Sequence, residues 1–219
     1  MDAGVSLWHQ VLMEKGGRCV KTMHQLYTDV NLSMSEIQAE MRRTNKYSIA
    51  RGEKDYTIDL YDESFENISE VIEEFRRFHI AISGRKTRGK ETWNMQKFCI
   101  EHGNDQIGHR FVIFIRDKHT RALAGAALFD ATPSCAYYCV AAYDRLRFSK
   151  PVEHIVQAVA MMKLKEYGVR WYELGKRPYI TDDAVTQKLL DIGHYKEGFA
   201  TNCFLKLYTE LETNGGTQV

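Results

Sequence analysis

The chain has 219 residues, is 44% hydrophobic and 27% charged, and carries a formal net charge of only +1. That length supports one sizeable core, and the near-neutral balance excludes the global basic field of a general nucleic-acid binder, although local patches remain open. No run of 18 apolar residues occurs, the N-terminus lacks a basic start followed by an apolar block, and only three prolines are present. Neither a membrane span, a secretory leader nor a long disordered linker is therefore expected.

Residues 1–30 read as an N-terminal extension in which LWHQVLMEKG forms a short helix or strand. From Ser33 the stretch SMSE offers a serine cap with Glu36 three residues on, so a helix is expected to start there and to run through IQAEMRRTNKYSIARG to Gly52. YTIDLYD alternates as a strand does. ENISEVIEEFRRFHIAISG puts Ile68, Val71, Ile72, Phe75, Phe78 and Ile82 on one helical face, with Gly84 as its stop. A basic loop, GRKTRGK, leads into a helix over ETWNMQKFCIEHG. HRFVIFIRD, RALAGAALFDA and CAYYCVAAYD follow with short links and predict an antiparallel meander. KPVEHIVQAVAMMKLKEYG is a long helix with Pro151 near its first turn and Gly168 at its end. A strand (VRWYELG), a helix (DDAVTQKLLDIGHYKEG) and a last strand (ATNCFLKLYTE) complete a domain over 31–210, and residues 211–219 are expected to be a disordered tail. This order predicts a single α+β domain, a mixed and mostly antiparallel sheet with flanking helices.

Five cysteines without a CxxC pair, and without further ligands at metal spacing, read as core or surface thiols; no metal is expected, and a reducing cytoplasm fits them best. No GxSxG elbow, HExxH helix, GxGxxG turn or Walker loop is present. His79 and His154 read as structural or surface histidines. Three stretches stand out. GRKTRGKETW holds Arg85, Lys86, Arg88 and Lys90 and ends at Trp93; it is either a solvated loop or a phosphate or carboxylate clamp, for which arginine supplies a planar fork. In AYYCVAAYDR, alternation sends Tyr137, Cys139 and Ala141 to one face and Tyr138, Val140 and Ala142 to the other, so one tyrosine is core and the other is free to enter a cleft. In IGHYKEGFATN, Lys196 follows an apolar helix and is crowded by Tyr195, Gly198 and Phe199, where a plain solvated cap would need no such neighbours.

YELG followed some twenty residues later by YKEGFA resembles the end of the Fem family of aminoacyl transferases (FemABX), and AYYCVAAYD, PVEHIVQAVAMMKLKEYG and WYELG come in the order of that family's second domain. MRRTNKYSIARGEK is similar to its basic helix, and FHIAISGRKTRGKETWNMQ to a stretch of Fem-like proteins associated with surface-glycan synthesis. The resemblance spans about residues 25–207. It implies the GNAT acyltransferase fold, present twice in the family and with room for one copy here, so that a homodimer or a partner subunit is expected to supply the other. It implies transfer of an acyl group, favoured as an aminoacyl group from aminoacyl-tRNA, to an amine that is glycan-linked or a small molecule. It assigns Lys196 to donor binding and charge stabilisation, Tyr137 to the reaction centre, and Tyr195 to the family's aromatic neighbour of the lysine. Tyr138, Phe199, Trp93, Arg85 and Arg88 complete the expected substrate contacts. Tyr195 stands where the family has Phe, and Ala200 where it has Gly.

The chemistry agrees in outline. Acyl transfer to an amine develops negative charge on the carbonyl oxygen, and a fixed cation or donor beside it contributes roughly 2.7–4 kcal/mol. The amine must also lose a proton, for which Asp144, Glu173 and Glu197 are candidate bases. No bound cofactor is expected. Acyl-CoA is the alternative donor, but DRLRFSKPVEH has no glycine-rich turn ahead of the long helix, and its proline lacks an N–H for a pyrophosphate. A non-catalytic module of the same fold, holding tRNA or a partner, is the alternative to an enzyme.

Overall fold

The computed structural model describes residues 7–148 and 151–212. Its elements are α1 (Leu7–Glu14), β1 (Arg18–Asp29), α2 (Met34–Glu40), α3 (Arg43–Asp55), β2 (Tyr56–Tyr61), α4 (Ile68–Ser83), α5 (Lys90–Glu101), β3 (His109–Asp117), β4 (Leu123–Ala131), β5 (Cys135–Tyr143), α6 (Glu153–Glu166), β6 (Trp171–Arg177), α7 (Gln187–Glu197) and β7 (Asn202–Glu210). The strands form one sheet in the order β2-β3-β4-β5-β6-β1-β7, antiparallel except where β5 meets β6 in parallel.

Local chemistry accounts for some element ends. Ser33 caps α2 through its side chain, which accepts from the Glu36 N–H, while the Glu36 carboxylate accepts from the Ser33 N–H. Gly84 ends α4 in the left-handed region at φ 67, a conformation that glycine adopts without the Cβ penalty. The helix expected from Ser33 to Gly52 is broken in two. Met41 and Arg42 have extended backbone, Met41 is buried, and the Arg42 N–H donates to the Gly198 carbonyl. That tertiary bond and the buried side chain override local helix propensity. Residues 18–29, expected within an extension ahead of the domain, form β1 and lie between β6 and β7. Of the tail expected to be disordered, residues 213–219 fall outside the described residues.

Two apolar layers fix the sheet. On one face Phe111, Ile113, Ile115, Phe129, Tyr172 and Leu174 pack with Ile37 of α2, Ile49 of α3, Ile155 and Met161 of α6, and Phe199 after α7. On the other, Val112, Phe114, Leu128 and Val140 pack beneath Val71, Ile72 and Phe75 of α4 and Trp93 and Ile100 of α5. In β5 the expected alternation fails. Phe129 pairs with Tyr138 and Leu128 with Val140, so Cys139 is an extra residue, a β-bulge. Tyr138 therefore joins the first layer and Val140 the second, instead of sharing a face.

Candidate active site

The parallel pair β5–β6 is short: Cys135, Ala136 and Tyr137 lie opposite Trp171, Tyr172 and Glu173, and the strands then part. A bulge sits just beyond the last pair on each side. On β5 it is Cys139; on β6 Leu174 is skipped, since Leu26 opposes Gly175 and Tyr27 opposes Glu173. Bulges bend a strand and raise its twist, so the divergence starts at Tyr137 and Glu173. Ala136, Tyr138, Tyr172 and Leu174 belong to the first core layer, which turns Tyr137 and Glu173 to the opposite face.

There a cleft of about 360 Å³ opens, lined by Gln25, Tyr27, Cys135, Tyr137, Trp171, Glu173, Phe204 and Lys206. The Glu173 carboxylate is held by two neutral donors, Gln25 Nε2 at 2.6 Å and the Tyr27 hydroxyl at 3.0 Å. Burial, reinforced by Glu173, holds the Tyr27 phenol far above its ordinary range, so it stays a donor. Tyr137 is 40% exposed, and its phenol is pushed up to about 12 by burial, with Cys135 and Glu173 adding.

Lys196 approaches from α7. Thr186 caps this helix by accepting from the Leu189 N–H, which leaves Lys196 in the last turn. Its Nζ lies 2.7 Å from where a Cβ on Gly175 would stand. Burial lowers the Lys196 pKa, and the nearby Glu173 charge opposes that shift. Among the described residues the ammonium forms no hydrogen bond or ion pair; it lines a cavity of about 180 Å³ with Lys176, Pro178, Asp182 and Ile192. A half-buried, unpaired ammonium costs stability, and such groups concentrate at functional sites. Gly175 makes the arrangement possible: at φ 114 it has a backbone other residues rarely adopt, and it has no side chain in the path of the ammonium. Gly175→Ala is expected to cost about 1–2 kcal/mol in a denaturation experiment and, by pushing Lys196 aside, to lower kcat by about a hundredfold. Unchanged kcat in the folded variant would show that the position of Nζ is unimportant.

No family model and no curated protein sequence matches the chain. Solved structures do. FemX superposes with a TM-score of 0.66 at 13% identity, over 90% of this chain and 65% of FemX. The lysylphosphatidylglycerol synthetase L-PGS from Bacillus licheniformis gives 0.62 at 14% identity, over 94% of this chain and 65% of that one. The C-terminal domain of a putative lysylphosphatidylglycerol synthetase from Agrobacterium fabrum gives 0.62 at 15% identity, over 91% and 63%. The chain has a Fem-type, GNAT-like fold. It spans less than two thirds of each of these three chains.

Within the Fem-type fold the expected site residues separate. Tyr137 is the cross-strand partner of Glu173 and lines the cleft with it, whereas Lys196 lines the separate cavity and reaches Glu173 only through its charge. Tyr195, one residue from Lys196, points elsewhere: its hydroxyl donates to the Glu153 carbonyl and its ring packs against His154 and Phe199. Phe199 is buried in the first layer, and the Tyr138 hydroxyl meets that of Tyr143 at 2.7 Å. Trp93 is 3% exposed and packs edge-on against Phe75 and His79 in the second core layer, away from the cleft lining. Arg85 and Arg88 sit in the exposed turn between α4 and α5, and Arg88 lies near enough to Cys139 for its charge to oppose the upward shift that burial imposes on that thiol. Of the candidate bases, Asp144 caps its own turn through the Arg147 N–H, and Glu197 pairs with Arg42 and Arg177, so Glu173 alone of the three faces the cleft. Gln25 and Tyr27, unforeseen from the sequence, complete the site from β1. All five cysteines are free thiols, and among the described residues no cluster of metal-ligating side chains and no helix long and apolar enough to cross a membrane occurs.

Proposed function

We propose that the protein is an acyltransferase that forms an amide by moving an acyl group, favoured as an aminoacyl group from aminoacyl-tRNA, onto an amine. The observation that carries this reading is the Glu173 carboxylate and the Tyr137 hydroxyl lining one cleft at the β5–β6 divergence, with the Lys196 ammonium, unpartnered among the described residues, held beside Gly175 on the same strand as Glu173. Glu173 takes a proton from the acceptor ammonium, and the freed nitrogen lone pair attacks the carbonyl carbon. Charge that builds on the carbonyl oxygen faces Lys196 and the Tyr137 hydroxyl. As the tetrahedral adduct collapses, the C–N bond stays and the acyl C–O bond to the donor breaks. The departing oxygen receives the proton from Glu173, and the carboxylate so freed takes the second proton from the acyl-bound nitrogen and passes it to water, leaving a neutral amide.

The choice of an ester donor over acyl-CoA rests on the start of α6. Val152 offers no side-chain cap there, and the first turn carries Glu153, ion-paired with Arg145 at 3.2 Å. A pyrophosphate at that helix end would meet a carboxylate instead of a cradle of N–H groups. The resemblance to the Fem family and the names of the similar structures support an aminoacyl cargo. A glycan-linked or small-molecule amine is the favoured acceptor, and a second copy or partner chain the favoured complement.

The deciding experiment incubates the protein with labelled aminoacyl-tRNA and, in parallel, labelled acetyl-CoA, over a panel of amines. Amide formation from aminoacyl-tRNA is expected. Transfer from acetyl-CoA alone would reverse the donor assignment, and binding without turnover across the panel would favour a non-catalytic module.

A further inference from the structure

We propose that the acceptor is a zwitterion, an amine joined through a short apolar spacer to an anionic group. The inference rests on the acyl-transfer reading and names what its cleft selects. Glu173 forms one end. Each of its oxygens accepts one hydrogen bond from a neutral group, Gln25 on one and Tyr27 on the other. A carboxylate has about four acceptor sites, so capacity for an ammonium remains on both.

Lys206 forms the other end; its ammonium lies over the Tyr208 ring at 5.9 Å from the centroid, a contact that leaves its charge unneutralised. It lines the same cleft from β7, makes no ion pair among the described residues, and its charge acts on the Cys135 thiol across the cleft. Between the ends lies an aromatic wall in which Tyr27, Trp171 and Phe204 contact one another at centroid distances of 5.4–6.2 Å. The other nearby cations are already committed. Arg170 stacks on Trp171 and pairs with Asp29, and Lys196 is assigned to the carbonyl oxygen.

A simple amine would meet Glu173 favourably but leave Lys206 facing a positively charged ligand. A simple acid would do the reverse. Only a ligand with both charges satisfies both ends, and like charges brought together discriminate strongly against the alternatives. The methylenes between the charges would lie on the aromatic wall, where burial of apolar area adds affinity.

The test is calorimetric titration of the whole chain, without any acyl donor, with ω-amino acids of two to five methylenes and with the alkylamine and alkanoate of each length. At least one zwitterion is expected to bind about tenfold or more tighter than either singly charged analogue. Glu173→Gln should reduce that zwitterion to the affinity of the alkanoate, and Lys206→Gln to that of the alkylamine, both variants melting as the parent does. Equal binding by a singly charged analogue, no binding by any probe, or indifference to both substitutions would overturn the proposal. Selective zwitterion binding with no transfer from any donor would keep this site and remove the acyl-transfer reading. Transfer without zwitterion preference would remove this inference alone.

Discussion

Lys196→Met lowers acyl transfer by about a hundredfold or more and leaves the melting temperature unchanged or higher. The expectation follows from what the ammonium lacks. It is largely removed from water, lies over Gly175, and has no ion-pair or hydrogen-bond partner among the described residues. At neutral pH the folded chain bears the cost of burying that charge, and an apolar side chain of similar length removes it. A lysine holding the fold together would behave in the opposite way.

The pH dependence carries the same signature. Burial depresses the folded pKa of Lys196, so as pH rises the charge is lost earlier than from an ordinary lysine, and the alkaline limb of the rate profile falls early. In that window the unfolded chain binds more protons than the folded one, so this group makes stability rise with pH, and the methionine variant lacks that rise. Lys196→Arg keeps the charge but replaces a compact ammonium with a broad fork beside Gly175, and it should recover little activity. Steady-state rates with calorimetric melting decide the matter; a stable methionine variant of normal turnover would refute the catalytic role.

Phe75→Ala costs about 3–5 kcal/mol. Phe75 is fully buried on α4 and packs edge-on against Trp93 of α5 and Phe114 of β3, so it joins the two helices to the second face of the sheet. Urea unfolding should show a lower midpoint, while the folded fraction retains its turnover, because the ring contacts of Phe75 among the described residues are with His79, Trp93 and Phe114, none of which lines the cleft. A loss below about 1 kcal/mol would mean that α4 and α5 close over the cavity.

What could be read from the sequence depended on the range of the forces involved. The Ser33 cap, the glycine stop at Gly84 and the apolar face of α4 are set by residues within one or two helical turns, and they are legible locally. Lys196 stood out because its neighbours were unlike those of a solvated cap. The break at Met41 and Arg42 was hidden, since its cause is a carbonyl at Gly198, far along the chain. The bulge at Cys139 reversed the expected partnership of Tyr138 and Val140, because alternation presumes a regular ladder. Trp93 was read with the arginines before it, whereas its ring packs with Phe75 and His79 in the second layer. Gln25 and Tyr27 gave no signal at all: their importance comes from Glu173, which no local pattern connects to them.

The placement of β1 between β6 and β7 sets the order in which the cleft can form. Arg18 pairs with Glu210 and Tyr27 with Asn202, so the sheet joins segments from opposite ends of the described chain. Closing so long a loop is entropically costly and slow, and a ribosome delivers β7 after every other strand. Until then Gln25 and Tyr27 have no wall of Phe204 beside them and β1 has a bare edge. The meander and its helices can collapse early, whereas the cleft is assembled last and is complete only when β7 docks.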